Sequence, residues 1–580
     1  MTQRSFLKVD LSLMGRRWIG PAPEALRLAE AMAQQTRLPT AICQTLVARG
    51  VAPEGAAAFL APQLRDLLPD PMVLRDMGAA AERFLAAVQG GQRIAIFADY
   101  DVDGGASAAL LIVWLTAMGR QATLYIPDRI DEGYGPNIPA MRTLGAAHDL
   151  IICVDCGTLS HDPIAAAGCD VLVLDHHLGG ETLPPALAVV NPNRQDEDSG
   201  LGHLCAASVV FLVLVEVNRR LKAQDIHGPD LMAMLDLVAL ATVADVAPLV
   251  GVNRAFVRQG LKIMARRDRP GLRALADVAR MDRAPSAYAL GFILGPRVNA
   301  GGRIGQADLG ARLLSTASEA EATALAQRLD LLNTERRAIE AMVRAEAMAQ
   351  AEARGPAGPL VWAAAEGWHP GVVGIVAARL KEAFHRPAVV IGIVDGEAKG
   401  SARSVTGVDL GAAVHRLQVE GLITKGGGHV MAAGLSMRPD QVPQAMARLA
   451  ELLEKQGAGA GGPQDLRLDS LLSPAAATPD LIDQIEAAGP FGQAAPAPRF
   501  AFAAQTLVAR RVGENHLKLT FGEPGAGPKL EAMAFGGYDT PLAALDGAGH
   551  RLFHLAGKLE VNHWGGRAKV QLRLEDAAPA

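Results

Sequence analysis

Asp99, Asp101 and Asp103 alternate in the run Asp99-Tyr-Asp101-Val-Asp103-Gly104, and further along stand Asp155, the triplet Asp175-His176-His177, and Asp245. Carboxylate oxygens with one or two imidazoles suit Mn²⁺ or Mg²⁺ better than thiolate-preferring ions. The alternating aspartates can spread over two ions, and Asp155 is suited to bridge them. Two such ions about 4 Å apart activate a water and stabilise a leaving oxygen in phosphoester hydrolysis. Taken singly the pieces say little, since an isolated D-x-D is usually a turn and a lone His-His usually carries nothing. Gathered in one place without a cation, so many carboxylates would repel strongly.

The elements around these residues explain how they would gather. Arg93 to Ala98 is an apolar run of strand length that ends in the alternating aspartates; Leu150 to Val154 ends at Asp155, and Val171 to Leu174 ends at Asp175. Thr123 to Ile126 and Ala188 to Val190 read as further buried strands. Helix-like segments at Ala106 to Met118 and Ser160 to Gly168 lie between them, and this alternation predicts a parallel α/β sheet. In such a sheet the C-terminal ends of the strands share one edge, where ligands bind. Distant segments would thus deliver their side chains to one small volume.

The rest of the chain divides by pattern. Residues 1–80 read as short helices punctuated by Pro, an extension packed onto the neighbouring α/β segment. That catalytic α/β segment runs over 81–317, with helical patterns dominating after Ala206. Leu325, Leu329, Leu332, Ile339 and Val343 form one stripe on a long connecting helix, assigned to 318–355 and ended by Gly355-Pro356. A second α/β segment covers 356–455. Gly457 to Pro463 has linker composition, and 464–580 turns β-rich, with a turn at Trp564-Gly-Gly-Arg567 before the alternating Lys569 to Leu574.

With 580 residues, half of them apolar and a fifth charged, the composition is ordinary for a globular chain of several cores. Five scattered cysteines do not make a disulfide framework and fit a reducing, cytoplasmic setting. Cys153 and Cys156 form a C-x-x-C without the second pair that zinc would need. No signal peptide is visible at Met1 to Leu13, and no apolar run reaches the roughly 20 residues that span a bilayer. The net charge of −5 hides a basic stretch, Arg254 to Arg283, with nine Lys/Arg against three Asp. Either a solvated helical face or a phosphate-tracking surface accounts for it.

The ordered series DYDVDG (99–104), VDCGT (154–158), DHH (175–177) and DLVALATVADVAPL (236–249) resembles the DHH phosphoesterases. IPDRIDEGYG (126–135), GPRVNAGGRIG (295–305), WHPGVVGIVAARL (368–380), GSARS (400–404) and GGGHVMAAG (426–434) are similar to the RecJ single-strand exonuclease subfamily. The resemblance covers residues 70–440 firmly and the tail by position. It implies a DHH catalytic domain, a connecting helix, a DHHA1-type substrate-binding domain and a C-terminal OB-like nucleic-acid-binding domain. Asp101, Asp103, Asp155, His176 and Asp245 match the family's manganese ligands, and Asp99 is a further ligand or its neighbour. His177 matches the histidine that contacts the scissile phosphate and helps proton transfer. Arg303, Arg379, Ser401 and Arg403 match positions around a terminal 5′-phosphate, and His429 matches a phosphate-contacting residue. Ala402 and Ala106 stand where the family more often has Gly and Thr.

The implied activity is a two-metal 5′→3′ exonuclease that degrades single-stranded DNA to mononucleotides in repair and recombination. A channel between the two α/β segments would exclude duplex, and the tail, with Lys558, Arg567, Lys569 and Arg573, would grip the strand. The resemblance also implies a monomer working with single-strand binding protein and a helicase. One rival is a relative acting on short oligonucleotides or cyclic dinucleotides. The other, a scaffold of the same fold, loses metal ligands that are all present here.

Overall fold

The computed structural model describes residues 4–128, 132–355, 357–459, 464–525, 527–562 and 569–580. Packing divides the chain into two units, one of residues 70–245 and 260–461, the other of residues 1–69, 246–259 and 462–580.

The first unit holds a five-stranded parallel sheet in the spatial order Ala122–Tyr125, Ile94–Ala98, Leu150–Val154, Asp170–Leu174, Ala188–Val190. Ile94–Ala98 and Leu150–Val154 are buried at every residue, which is why they read as unbroken apolar runs and not as alternation. From Ile94–Ala98 the chain first goes to one side, to Ala122–Tyr125, and then to the other, to Leu150–Val154. This reversal leaves a crevice at the C-terminal ends of the two central strands, the place where such sheets bind ligands.

The helix after the first strand starts at Val102, four residues earlier than its apolar pattern suggests, and runs Val102–Ala117. Asp101 caps it, accepting from the backbone N–H groups of Asp103 (2.8 Å) and Gly104 (3.1 Å). Gly104 therefore sits inside the first turn. A Cβ there would lie 2.4 Å from the Asp99 carbonyl oxygen, so only glycine lets the turn close over the strand end.

A 36-residue helix, Glu319–Arg354, connects the two sheets of this unit. Ser318 caps its start by accepting from Glu321 N–H, and Gly355, at φ 84°, ends it. The second sheet is mixed, in the order Lys425–His429, Ala432–Met437, Glu397–Arg403, Ala388–Val394, Val361–Glu366, with only the last two strands parallel to each other.

In the other unit the strands Phe500–Val512, His516–Gly522, Leu530–Ala534, Phe553–Asn562 and Lys569–Pro579 close into a barrel. The third pairs in parallel with the fifth, and the first pairs antiparallel with both the second and the fourth. This is the five-stranded connectivity of an OB-type barrel. Helices Pro23–Thr36 and Thr40–Val47 share its core, where Met32, Ile42 and Leu46 join Phe500, Phe502 and Phe521. A strand the sequence pattern did not show, Arg16–Ile19, pairs in parallel with Gln464–Arg467. The turn expected at Trp564 to Arg567, the end of the linker at 460–463, and Arg129 to Asp131 of the IPDRIDEGYG motif lie outside the described residues.

The basic stretch is largely engaged internally. Arg254 donates to the carbonyls of Phe59, Ala488 and Gly489, and Arg258 to that of Ala487. Arg269 forks onto Asp236 (2.7 and 2.9 Å), Arg267 pairs with Asp277, and Arg273 with Glu319. The solvated-face and phosphate-tracking readings therefore apply to the exposed Lys262, Arg266, Arg267, Arg280 and Arg283. In the barrel, Lys558 pairs with Glu575 at 3.3 Å, while Lys569 and Arg573 are exposed; Arg567 lies outside the described residues. Among the described residues no helix is long and apolar enough to cross a membrane.

Candidate active site

The crevice at the switch point collects the chemistry. Three overlapping sets of side chains offer ligand atoms within 4.8 Å of one another: Asp99, Asp101 and Asp155; Asp155, His176 and His177; and Asp103, His176 and Asp245. Asp155 and His176 each belong to two sets. His176 Nε2 lies 3.3 Å from Asp155, 3.7 Å from Asp103 and 3.8 Å from Asp245. All six metal-ligand candidates are thus brought together, and His177 with them.

Each side chain is held by a different device. Asp103 is fully buried and accepts from the N–H groups of Ala206 (2.7 Å) and Ala207 (2.8 Å), the first turn of helix Ala206–Ala223, where a negative charge is favoured. Asp245 sits at the C-terminus of helix Leu235–Ala244. Asp155 follows its strand directly, in a left-handed conformation (φ 60°) uncommon for a residue with a side chain. Its Oδ1 is buried and accepts no hydrogen bond from any described residue.

The electrostatics are those of a cation site. Burial, then the charges of Asp103, Asp101, Asp99 and Asp245, push the Asp155 carboxyl well above the usual carboxylate range. Burial also raises Asp103, partly offset by His176, and takes Asp245 to about 8, helped by Asp103 and Asp101. Carboxylates so placed are ionised only at a cost that a divalent ion would remove. The donor set, all oxygen with imidazole nitrogen, fits Mn²⁺ or Mg²⁺. Among the described residues no metal-capable cluster includes a cysteine. Cys153 and Cys156 are buried, and burial pushes both thiols upward, away from the reactive thiolate.

Asp175 has a separate task that its place in the triplet did not reveal. Its Oδ1 accepts from His177 Nδ1 (2.8 Å) and from the N–H groups of His176 and His177; its Oδ2 accepts from Thr158 N–H and hydroxyl. Burial would raise this carboxyl, but the His177 and Thr158 bonds and the two histidine charges hold it below the ordinary range. Burial opposes protonation of His177, yet the bond to Asp175 and that charge take it to about 9. Asn191 braces the arrangement by donating to Thr158 Oγ1 and to the His177 carbonyl, and Asn193 donates to the His176 carbonyl. Tyr134 donates to the Asp155 carbonyl and lies 3.2 Å from His177 Nδ1. Asn191 follows the fifth strand directly, so the edge rule that finds Asp155 reaches it too. We expect Asp175→Asn to lower turnover about 10- to 100-fold while leaving the metal-induced rise in melting temperature nearly intact, because Asp175 orients His177 and belongs to none of the three ligand sets. Loss of that rise would make Asp175 part of the metal shell.

A second polar group lies beside helix Gly295–Ile304. Asn299 on it accepts from Val102 N–H (3.1 Å), and a Cβ at Gly302 would lie 2.6 Å from the Tyr100 carbonyl oxygen, so this helix packs on the aspartate-bearing turn. Arg303, the next residue, donates to the Gly371 carbonyl at 3.2 Å. Gly371 is the second residue of helix Pro370–Phe384, and a Cβ at Gly374 about one turn on would meet Arg403 (3.2 Å) and Ser401 (3.3 Å). Arg303, Ser401 and Arg403 therefore lie along the first two turns of one helix, two guanidinium groups and a hydroxyl of the kind that pair with phosphate oxygens. Arg379 stands further along that helix with its guanidinium against Glu382 (3.0 Å) and Glu340 (3.9 Å). His429 ends the edge strand Lys425–His429, exposed. These two are not drawn into the group.

Three family models match the chain: the DHH family N-terminal domain over residues 93–242, the DHHA1 domain over 357–455 and the RecJ OB domain over 468–576. With the sheet and its acidic crevice, they define a DHH-class phosphoesterase carrying a DHHA1 and an OB-type domain. Within that class the chain belongs to the RecJ family. It is 39% identical to the single-stranded-DNA-specific exonuclease RecJ of Dickeya dadantii, over 94% of this chain and 98% of that protein. It is 36% identical to the protein of the same name from Escherichia coli, over 93% and 96%. The crystal structure of RecJ from Thermus thermophilus in complex with Mn²⁺ aligns at a TM-score of 0.80 and 30% identity, covering 97% of this chain and 79% of that one. The Mg²⁺ complex of the same protein aligns at 0.74 and 28% identity, covering 97% and 78%.

Proposed function

We propose that this chain is a metal-dependent exonuclease that hydrolyses single-stranded DNA from its 5′ end to mononucleotides, serving repair and recombination. The observation that carries this is the sharing of Asp155 and His176 between overlapping ligand sets at the sheet's switch point. Asp99, Asp101, Asp103, Asp155, His176 and Asp245 hold two Mn²⁺ or Mg²⁺ ions, which when bound polarise the attacking water and the phosphoryl oxygens. His177, fixed through Nδ1 by Asp175, faces the scissile phosphate and moves a proton at Nε2. Arg303, Ser401 and Arg403 seat the terminal 5′-phosphate and so set the register of cleavage, with Arg379 and His429 contacting the strand beyond it.

The segmentation that goes with this reading is a helical extension (1–80), a DHH catalytic domain (81–317), a connecting helix (318–355), a DHHA1-type domain (356–455) and an OB-like domain (464–580). The enzyme is a cytoplasmic monomer, working on strands made available by a helicase and covered by single-strand binding protein.

The test is digestion of 5′-phosphorylated, 3′-labelled single-stranded DNA with Mn²⁺. Release of 5′-mononucleotides while the label persists on ever shorter strands is expected. Attack from the labelled end, or turnover confined to dinucleotides, contradicts the reading. Arg303→Ala and Arg403→Ala are each expected to reduce the preference for 5′-phosphate over 5′-hydroxyl ends about 10- to 100-fold, the scale of a lost charge-assisted hydrogen bond. An unchanged preference in both variants removes the pocket from the proposal.

A further inference from the structure

The chain passes between its two units at four places, after residues 69, 245, 259 and 461, and the second of these lies at a metal-ligand candidate. Asp245 ends one stretch of the metal cluster's unit, and the next residue opens Val246–Gln259, a segment of the unit that holds the barrel. The joint is strained. Val246 follows helix Leu235–Ala244 and its cap Asp245 in the left-handed conformation (φ 58°), where helices usually place glycine and a β-branched side chain fits poorly. Its side chain is 63% exposed and does little to hold it there. Such a conformation persists only where the flanking structure enforces it.

One flank is the helix itself, which Asp245 N–H closes on the Ala241 carbonyl (2.9 Å). The other flank is clasped. Leu249 N–H donates to the Gln493 carbonyl (2.9 Å), and Arg258 to that of Ala487 (2.9 Å). The buried Arg254 donates to the carbonyls of Gly489 (2.8 Å), Phe59 (3.0 Å) and Ala488 (3.3 Å), its guanidinium 3.8 Å over the Phe59 ring. Burial and the neighbouring Arg49 and Arg258 lower Arg254 to about 10, so it stays cationic at neutral pH. Its partners suit that charge, because Ala487 to Gly489 end helix Pro479–Ala487, where carbonyls without helical partners favour cations. Helix Gly251–Met264 carries both arginines, and a Cβ at Gly260 would lie 2.2 Å from the Leu235 carbonyl oxygen. The helix that bears the clasp is therefore seated directly on the helix that ends at Asp245.

We propose that Arg254 and Arg258 are positioning residues for Asp245: by gripping the Ala487 to Gly489 helix end they hold the strained joint, and with it the affinity of the ion shared by Asp103, His176 and Asp245. The barrel's unit thereby takes part in metal binding without supplying a ligand. This rests on the two-metal reading above and concerns one ion of the pair.

The experiment titrates Mn²⁺ into the full-length protein, with free ion counted by electron paramagnetic resonance, beside thermal melts in EDTA. Arg258→Met is expected to weaken one of the two ions about 10-fold and Arg254→Met to weaken it more, with the other ion unchanged. Arg49→Met is the control. Arg49 grips the same helix end, donating to the carbonyls of Ala488 (3.1 Å) and Pro496 (2.6 Å), but it belongs to the N-terminal segment. Its loss should lower the metal-free melting temperature much as Arg258→Met does, yet leave both Mn²⁺ affinities at the parent's values. Arg258→Lys, which keeps a donor for the Ala487 carbonyl, should restore most of the lost affinity. In hydrolysis, Arg258→Met should need about 10-fold more Mn²⁺ for half its maximal rate, with the saturated kcat and the KM for DNA close to the parent's. Should the deeply buried Arg254→Met variant not fold, the half-buried Arg258 decides the matter. Parental Mn²⁺ affinities in Arg258→Met, or an equal weakening in Arg49→Met, overturns the positioning role. Two tight ions in every variant refutes that role alone, whereas a parent that binds fewer than two ions refutes the two-metal reading beneath it.

Discussion

Asp155→Asn is expected to lower Mn²⁺-dependent hydrolysis by about 10³-fold or more, while the metal-free variant melts no lower than the parent. The two halves of this result have one cause. Asp155 belongs to two of the three ligand sets, so replacing an oxygen anion with a neutral amide weakens both ion positions together. Without metal, the same carboxylate is buried among Asp103, Asp101, Asp99 and Asp245, each of which disfavours its charge, and its Oδ1 accepts no hydrogen bond from any described residue. Asparagine keeps the shape and removes the repulsion. Asp103→Asn is the contrasting variant, since both Asp103 oxygens accept from backbone N–H groups of helix Ala206–Ala223. An amide nitrogen there would face a donor, and we expect a loss of about 1–3 kcal/mol in stability besides the loss of activity. Thermal melts with EDTA and with Mn²⁺, beside hydrolysis rates, check both variants. A metal-free Asp155→Asn protein that melts several degrees below the parent, or one that still cuts, contradicts the assignment.

The contrast between Asp155 and Asp103 also shows what could be read in the sequence and what could not. Both were visible as carboxylates at the ends of apolar runs, because a parallel sheet puts every such end on one edge. Their local fastening was not, since Asp103 depends on a helix more than 100 positions later. Asp175 was visible only as the end of the third run, with no task of its own; in the fold it orients His177, a role made by two bonds from Thr158 and one from the imidazole. The start of the helix at Val102 was obscured by Gly104 and Gly105, which lower helix propensity in isolation; the close approach to Asp99 that requires Gly104 exists only in the fold. Likewise the strand Arg16–Ile19 has its partner at Gln464–Arg467, beyond the reach of any local pattern. The stretch Arg254 to Arg283 illustrates the converse. Its charge was plain, but which arginines bond carbonyls and carboxylates depends on side-chain neighbours that spacing does not specify.

The stability of the metal-free protein is expected to fall as pH rises from about 5.5 to 8.5, and the rise in melting temperature produced by Mn²⁺ is expected to grow across the same window. Asp245 carries the argument most directly. Burial, then Asp103 and Asp101, raise its carboxyl to about 8 in the folded chain, above its ordinary value. A group whose folded pKa is raised holds its proton more tightly in the native state. Its contribution is therefore complete below the ordinary carboxylate range and is lost as pH climbs through about 8. Asp155 and Asp103 are raised too and act in the same sense. So does His177, raised to about 9, whose contribution is complete below the ordinary imidazole range and fades towards that value. Asp175 is depressed, and its contribution disappears only in strong acid, outside the window. Divalent ions take the place of these protons, so they bind more tightly as the protons leave and restore what the rising pH removes. We expect the Mn²⁺ increment to widen by on the order of 5 °C between the two ends of the window. Asp245→Asn should flatten both trends. A metal-free melting temperature that rises with pH, or an increment that stays constant, would show that these carboxylates are not the shared cation site that the exonuclease mechanism requires.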